Sequence, residues 1–221
     1  MKNQDPWASF VLNRENNSNA NILAGSWEFD EDGLLKSKGS FRNLLYTENI
    51  YDEYNIIVNA KLNENASEYG VLIDSSVAEG RDSGYILQYE TYRDSFGNQA
   101  GVRVVLRERY VGNNGQQVES GYLPLIGANR SNDYRIPLDS VDSKAFEMRN
   151  IEVRVRNIEG NNRRIEAYLD GVKIFHYDYL KSSNSGYTGL RTWDTSWGTG
   201  DHRKSFSGEE ARFQDMIIEP H

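Results

Sequence analysis

An Asp-Gly dipeptide between two alternating apolar runs leaves a chain few conformations, and this sequence has one at Asp170-Gly171. Ile165-Glu166-Ala167-Tyr168-Leu169 leads in, and Val172-Lys173-Ile174-Phe175-His176-Tyr177 leads out. A type I′ turn needs positive φ at both central residues, which Asp and Gly accept, so the pattern predicts a two-residue β-hairpin. Small polar residues at 182–186 then form a loop, and 187–193 enters a further strand.

The rest of the chain repeats the theme. In 54–62, Tyr54, Ile56, Val58, Ala60 and Leu62 share one face, with Asn55, Asn59 and Lys61 on the other and Ile57 the exception. Further strands are predicted at 69–74, 84–92, 101–110, 151–158 and 212–219. Trp27 and Phe29 alternate with polar residues ahead of an Asp32-Gly33 turn, and 34–45 reads as a strand pair broken near Gly39. Residues 112–121 read as a polar turn. Residues 123–146, with Pro124 and Pro137, read as a long surface loop with a short helix near Ser140. About a dozen strands with almost no helical periodicity predict an all-β chain, a two-sheet antiparallel β-sandwich. Residues 25–221 are expected to form one domain, preceded by an Asn-rich linker or docking segment at 1–24.

Two runs resemble a known family. Ala167-Tyr168-Leu169-Asp170-Gly171-Val172-Lys173-Ile174-Phe175, followed by Gly186-Tyr187-Thr188-Gly189-Leu190-Arg191-Thr192-Trp193, resembles the back half of concanavalin A-like jelly rolls. The laminin-G-like and carbohydrate-binding-module branches look nearest, and the likeness runs from about residue 25 to 219. It implies a jelly roll with one sheet bent into a concave face, a fold that carries lectins, glycosidases, adhesins and structural heads alike. It also raises a structural calcium ion held by Asp carboxylates, with Asp74, Asp82, Asp94 and Asp201 as possible donors, although no EF-hand-like spacing supports any of them. No other cofactor is implied. Residues 25–34 and 84–88 (GSWEFDEDGL and GYILQ) are also similar to some type IV pilin-like proteins of Gram-positive bacteria. That likeness implies, as an alternative, a structural or interaction head with other pilus subunits as partners.

Composition narrows the partners. The formal charge is −8 and no basic block is present, which argues against nucleic acid and against an anionic membrane surface. With no cysteine, disulfides, zinc–thiolate sites and thiol catalysis are excluded. No apolar run of ~18 residues is present to span a membrane. Met1-Lys2-Asn3-Gln4-Asp5 lacks the apolar follow-on of a signal peptide, so for an extracellular or cell-surface protein the export signal is expected outside this sequence.

Period-2 alternation predicts where ligand chemistry collects. In 84–90, Tyr85, Leu87 and Tyr89 form one face, and Ile86, Gln88 and Glu90 the other. Arg103 and Arg107 oppose Val102, Val104 and Leu106, and Arg191 shares a face with Trp193. One surface is therefore expected to gather Gln88, Glu90, Arg103, Arg107, Arg191 and Trp193, rimmed by Tyr92 and Trp197. Sugar recognition needs an aromatic plate against the ring and planar groups that pair with adjacent hydroxyls. Ordinary cross-strand Arg–Glu pairs on a solvated face, with Trp193 in the core, would give the same pattern. Catalysis is not expected. The E-x-D-x-E carboxylate arrangement of the glucanase branch is absent, and His176, His202 and His221 show no metal-ligand spacing. The sequence thus reads as a non-catalytic, extracellular, adhesin-like glycan-recognition module. Glycoside hydrolysis is a minor alternative.

Overall fold

Alternation decides the layers. In the computed structural model, residues 9–16, 20–38, 42–47, 51–63, 68–78, 81–138, 144–181, 186–193 and 211–221 are described, and among them there is no helix. In chain order the strands are β1 (Phe10–Leu12), β2 (Ala20–Ala24), β3 (Ser26–Phe29), β4 (Leu35–Lys38), β5 (Arg42–Thr47), β6 (Tyr54–Leu62), β7 (Glu68–Ala78) and β8 (Arg81–Arg93). There follow β9 (Gln99–Val111), β10 (Gln117–Glu119), β11 (Tyr134–Pro137), β12 (Arg149–Ile158), β13 (Asn162–Leu169), β14 (Val172–Leu180), β15 (Tyr187–Trp193) and β16 (Ala211–Pro220).

They form two antiparallel sheets, as the sequence predicts. The first runs β14-β13-β12-β6-β16-β4-β3, with β1 also on the outer side of β16. The second runs β10-β9-β8-β7-β15-β5-β2, with β11 also on the outer side of β9. Burial alternates along β6, β12 and β13, so every second residue there points between the sheets. Tyr54, Ile56, Val58, Ala60 and Leu62 of β6 are all buried, and face Val71, Ile73, Leu87, Val104 and Leu106 in one continuous core. The predicted hairpin is present: Asp170 has φ 50° and Gly171 φ 80°, joining β13 to β14.

Three expectations need correction. Residues 34–45 are not a strand pair: β4 pairs with β3 and β16 in the first sheet, while β5 pairs with β15 and β2 in the second. The chain crosses the sandwich there. The polar turn at 112–121 is shorter than expected, because Gln117–Glu119 returns as β10 along β9. The loop at 123–146 is not simply surface: β11 covers the edge of β9, and Leu125 and Ala145 are core residues. The helix expected near Ser140 lies outside the described residues. Ahead of residue 25, β1 and β2 each pair with one of the sheets.

A buried ion pair ties the sheets together at one end. Asp74, in β7 at a register shift, has φ 47° and accepts hydrogen bonds from Arg163 of β13, Tyr179 of β14 and Tyr54 of β6, the last at 2.8 Å. Burial of the ring and the neighbouring Asp74 push the Tyr54 phenol well above its usual pKa.

Candidate functional site

Register sets the rows on the outer face of the second sheet. One row reads Arg191, Gly70, Gln88, Val105 across β15, β7, β8 and β9. The next reads Trp193, Glu68, Glu90, Arg103, Arg135, the last on β11. The row on the other side reads Gly189, Leu72, Ile86, Arg107. Side chains directly opposite in an antiparallel pair point the same way, so Gln88, Glu90, Arg103, Arg107 and Arg191 of the expected set share one face.

The face is curved. β10 and β15 are four strand positions apart, about 19 Å on a flat sheet at ~4.8 Å per strand, more than Glu and Arg side chains span together. Yet Glu119 of β10 meets Arg191 Nη1 of β15 at 2.7 Å. The sheet therefore curls toward its outer side and makes that side concave. Gly70 lies between Arg191 and Gln88 in its row and adds no side chain to the trough.

The floor of the trough is a closed network. Arg191 donates to Glu68 at 2.6 Å and to Glu119, and is 2% exposed. Gln88 donates to Glu68 at 2.8 Å and to Glu119 at 3.2 Å. Arg109 pairs with Asp82 and Glu119. Burial pushes the Glu68 carboxyl up to about 7. Arg191 pulls it down, but Glu90 and Glu119 add to the rise. Burial also opposes ionisation of Glu119, but Arg191, Arg109 and Arg107 outweigh it and hold that carboxyl below its usual range. Arg109 drops to about 10, through burial and the like charge of Arg191.

The rim along β9 is built differently. The Tyr122 hydroxyl donates to Glu90 at 2.7 Å and accepts from Arg103, and burial beside Glu90 raises its pKa to about 12. The Arg103 and Arg107 guanidiniums lie 4.5 and 4.2 Å from the Tyr122 ring centre. Arg103 also donates to Glu90 at 2.7 Å. The Arg135 guanidinium lies 5.0 Å from the ring of Tyr92 and donates to Asp133 at 2.9 Å.

Of the eight residues expected in a site, the structure brings Gln88, Glu90, Arg103, Arg107 and Arg191 into this one network, with Tyr92 farther along β8 on the same face. Trp193 shares the row of Glu68 by register, but its side chain, and all of Trp197, lie outside the described residues. Sequence reasoning missed Glu68, Arg109, Glu119, Tyr122 and Arg135, and raised Asp82 only as a calcium donor. For Glu119 a signal existed: Gln117-Val118-Glu119 alternates just after Asn113-Asn114-Gly115, a hairpin turn.

The calcium donors are otherwise engaged. Asp74 is held by Arg163 and two tyrosines, and Asp82 by Arg109. Asp94 closes its own turn, accepting from the Phe96 and Asn98 amides at 2.9 and 2.8 Å. Asp201 lies outside the described residues. No group of three His, Asp or Glu suited to a metal occurs among the described residues.

No family model matches the chain, and no curated protein matches it either. Solved structures do. The carbohydrate-binding module CBM66 of Bacillus subtilis is 15% identical at a TM-score of 0.53, covering 91% of this chain and 95% of its own. A legume lectin-like domain of Entamoeba histolytica is 10% identical at 0.54, covering 92% and 90%. The alginate lyase Aly36B, in complex with an alginate tetrasaccharide, is 12% identical at 0.52, covering 96% and 97%. Identities this low speak for architecture alone, and with two antiparallel sheets, the second of them concave, they establish it: the chain has the concanavalin A-like jelly-roll fold.

Proposed function

We propose that this is a glycan-recognition domain, displayed outside the cell in an adhesin-like role, that holds sugar along the concave face of the second sheet without cleaving it. One observation carries the reading: Gln88, Glu90, Arg103, Arg107 and Arg191 converge on that face, with Tyr122 and Tyr92 beside them. Planar hydrogen-bonding groups fixed by one another, next to aromatic rings, suit a ligand that offers paired hydroxyls and an apolar ring face. The roles divide by burial. Arg191, Gln88 and Glu68 shape the floor, while Arg103, Arg107, Tyr122 and Tyr92 are the groups a ligand meets. The jelly-roll neighbours named for carbohydrate binding and lectin likeness support the same reading.

The way the acids are held supports non-catalysis over glycoside hydrolysis. Glu90 is tied to Arg103 and Tyr122, and Glu119 to three arginines, so neither is set up as one of two independent carboxylates. The test is a glycan array with the purified domain, followed by incubation of each bound polysaccharide with it. Binding that is lost in Tyr92→Ala, with the polymers left intact, is the expected result. Chain cleavage abolished by Glu90→Gln would make it an enzyme. An array without a single hit would remove the glycan reading.

A further inference from the structure

The charges of the trough are layered. The carboxylates along the β9 rim lie underneath: the Glu90 and Asp133 side chains are 7% and 6% exposed. The guanidiniums lie on top: Arg103, Arg107 and Arg135 are 19%, 22% and 38% exposed. Arg103 and Arg135 thus stand over two largely covered anions, while Arg107 also pairs with Glu119, as exposed as itself at 22%. The donors are also unevenly used. Arg103 is committed to Glu90, Tyr122 and Asp133. Arg107 donates from Nη1 to the Ser120 carbonyl at 3.3 Å and its Nε lies 3.4 Å from Glu119, but among the described residues its Nη2 has only Glu90 Oε2, at 3.9 Å, beyond hydrogen-bond reach. Arg135 donates from Nε to Asp133, and its two Nη groups hold no hydrogen bond among the described residues. With the chain at −8 overall, the rim is a local exception and not part of a basic surface.

From this layering we infer that the glycan held here is acidic, carrying carboxylate or sulfate groups that pair with the open edges of Arg107 and Arg135 while a sugar ring rests on Tyr92. The inference rests on the glycan-binding reading above and narrows it to a ligand class. Guanidinium is the side chain that grips a planar carboxylate or a sulfate with two parallel hydrogen bonds.

The experiment uses the whole chain and four polymers: polygalacturonate, its carboxyl-reduced neutral form, dextran sulfate and dextran. Affinity is measured by titration calorimetry at two salt concentrations. Binding to a charged polymer about tenfold or more tighter than to its neutral form is expected, weakening as salt rises. Polygalacturonate binding without dextran sulfate binding assigns carboxylate; the reverse assigns sulfate. Arg107→Gln and Arg135→Gln should each lower the affinity for the charged polymer about tenfold, a larger loss than either causes for the neutral form. Arg135 is exposed enough that its variant should keep the parent melting temperature, which controls for the more enclosed Arg107. Equal affinity for charged and neutral forms, unmoved by either substitution, would overturn the acidic ligand and leave glycan recognition standing. Failure to bind these four polymers and any array glycan would overturn both.

Discussion

Replacing Arg163 by Met tests how the two sheets are held. The guanidinium pairs with Asp74 across the sandwich, and both side chains are almost wholly buried. Removing one member of a buried pair strands the other charge and costs about 3–5 kcal/mol. Two hydroxyls set the position in that range. Tyr54, at 2.8 Å, and Tyr179 both still donate to the Asp74 carboxylate after the change. Their hydrogen bonds offset part of the loss, so the low end, about 3 kcal/mol, is expected. At ~2–4 °C per kcal/mol for a chain of this size, the melting temperature should fall by about 6–12 °C. Urea unfolding should show a lower midpoint with the same slope. Adding Asp74→Asn removes the stranded charge, and Asn tolerates the positive φ of 47° at this position. The double variant should therefore recover at least about 1 kcal/mol over Arg163→Met alone. A single-variant loss below about 1 kcal/mol, or losses that simply add, would refute the reasoning.

Glu68 gives a pH test. Its folded pKa of about 7 lies above the ordinary 4.5, so the native state binds more protons between those values. Its contribution is fully present below about pH 4.5 and is lost as pH rises to about 7. Glu68→Gln should flatten that fall, seen by comparing urea midpoints at pH 5 and pH 8 with those of the parent. Gly189→Ala should cost at least about 2 kcal/mol, because the added Cβ would stand 2.1 Å from the Leu45 carbonyl oxygen. Gly121→Ala, where a Cβ meets nothing within 4 Å, should change the midpoint by less than about 0.5 kcal/mol. Tyr122→Phe removes the hydroxyl shared by Arg103 and Glu90 and should weaken glycan binding while shifting the melting temperature by only a few degrees.

Strands that are half-buried announce themselves, and most of this fold was readable for that reason. β6, with strict alternation and every inward residue buried, is the plainest case. The Asp170-Gly171 turn was equally plain, because its backbone demand is specific to those residues. What alternation cannot report is which sheet a strand joins. β4 and β5 follow each other closely in the chain and look like a pair, but they enter opposite layers. The face of the candidate site was legible strand by strand, since Gln88, Glu90, Arg103 and Arg107 fall on the outward phase of β8 and β9. Their partners were not. Glu119 joins Arg191 only because the sheet curls, and curvature leaves no periodic trace in a sequence. Nor does phase distinguish a side chain that meets solvent from one locked among its neighbours, as Arg191 shows.

The order in which the strands are made also matters. β16, the last strand, lies inside the first sheet, with Ala211 opposite Leu62 and Pro220 opposite Tyr54. β15 lies inside the second sheet, between β7 and β5. During synthesis, then, the second layer cannot close until β15 has left the ribosome, nor the first until β16 has. Until then β6 and β7 each wait with an open hydrogen-bonding edge, able to pair with a neighbouring nascent chain. Pairings this distant in sequence also slow refolding. A chain released before residue 187 would carry both gaps, and should accumulate with holding chaperones or in aggregates where one extending through β16 folds.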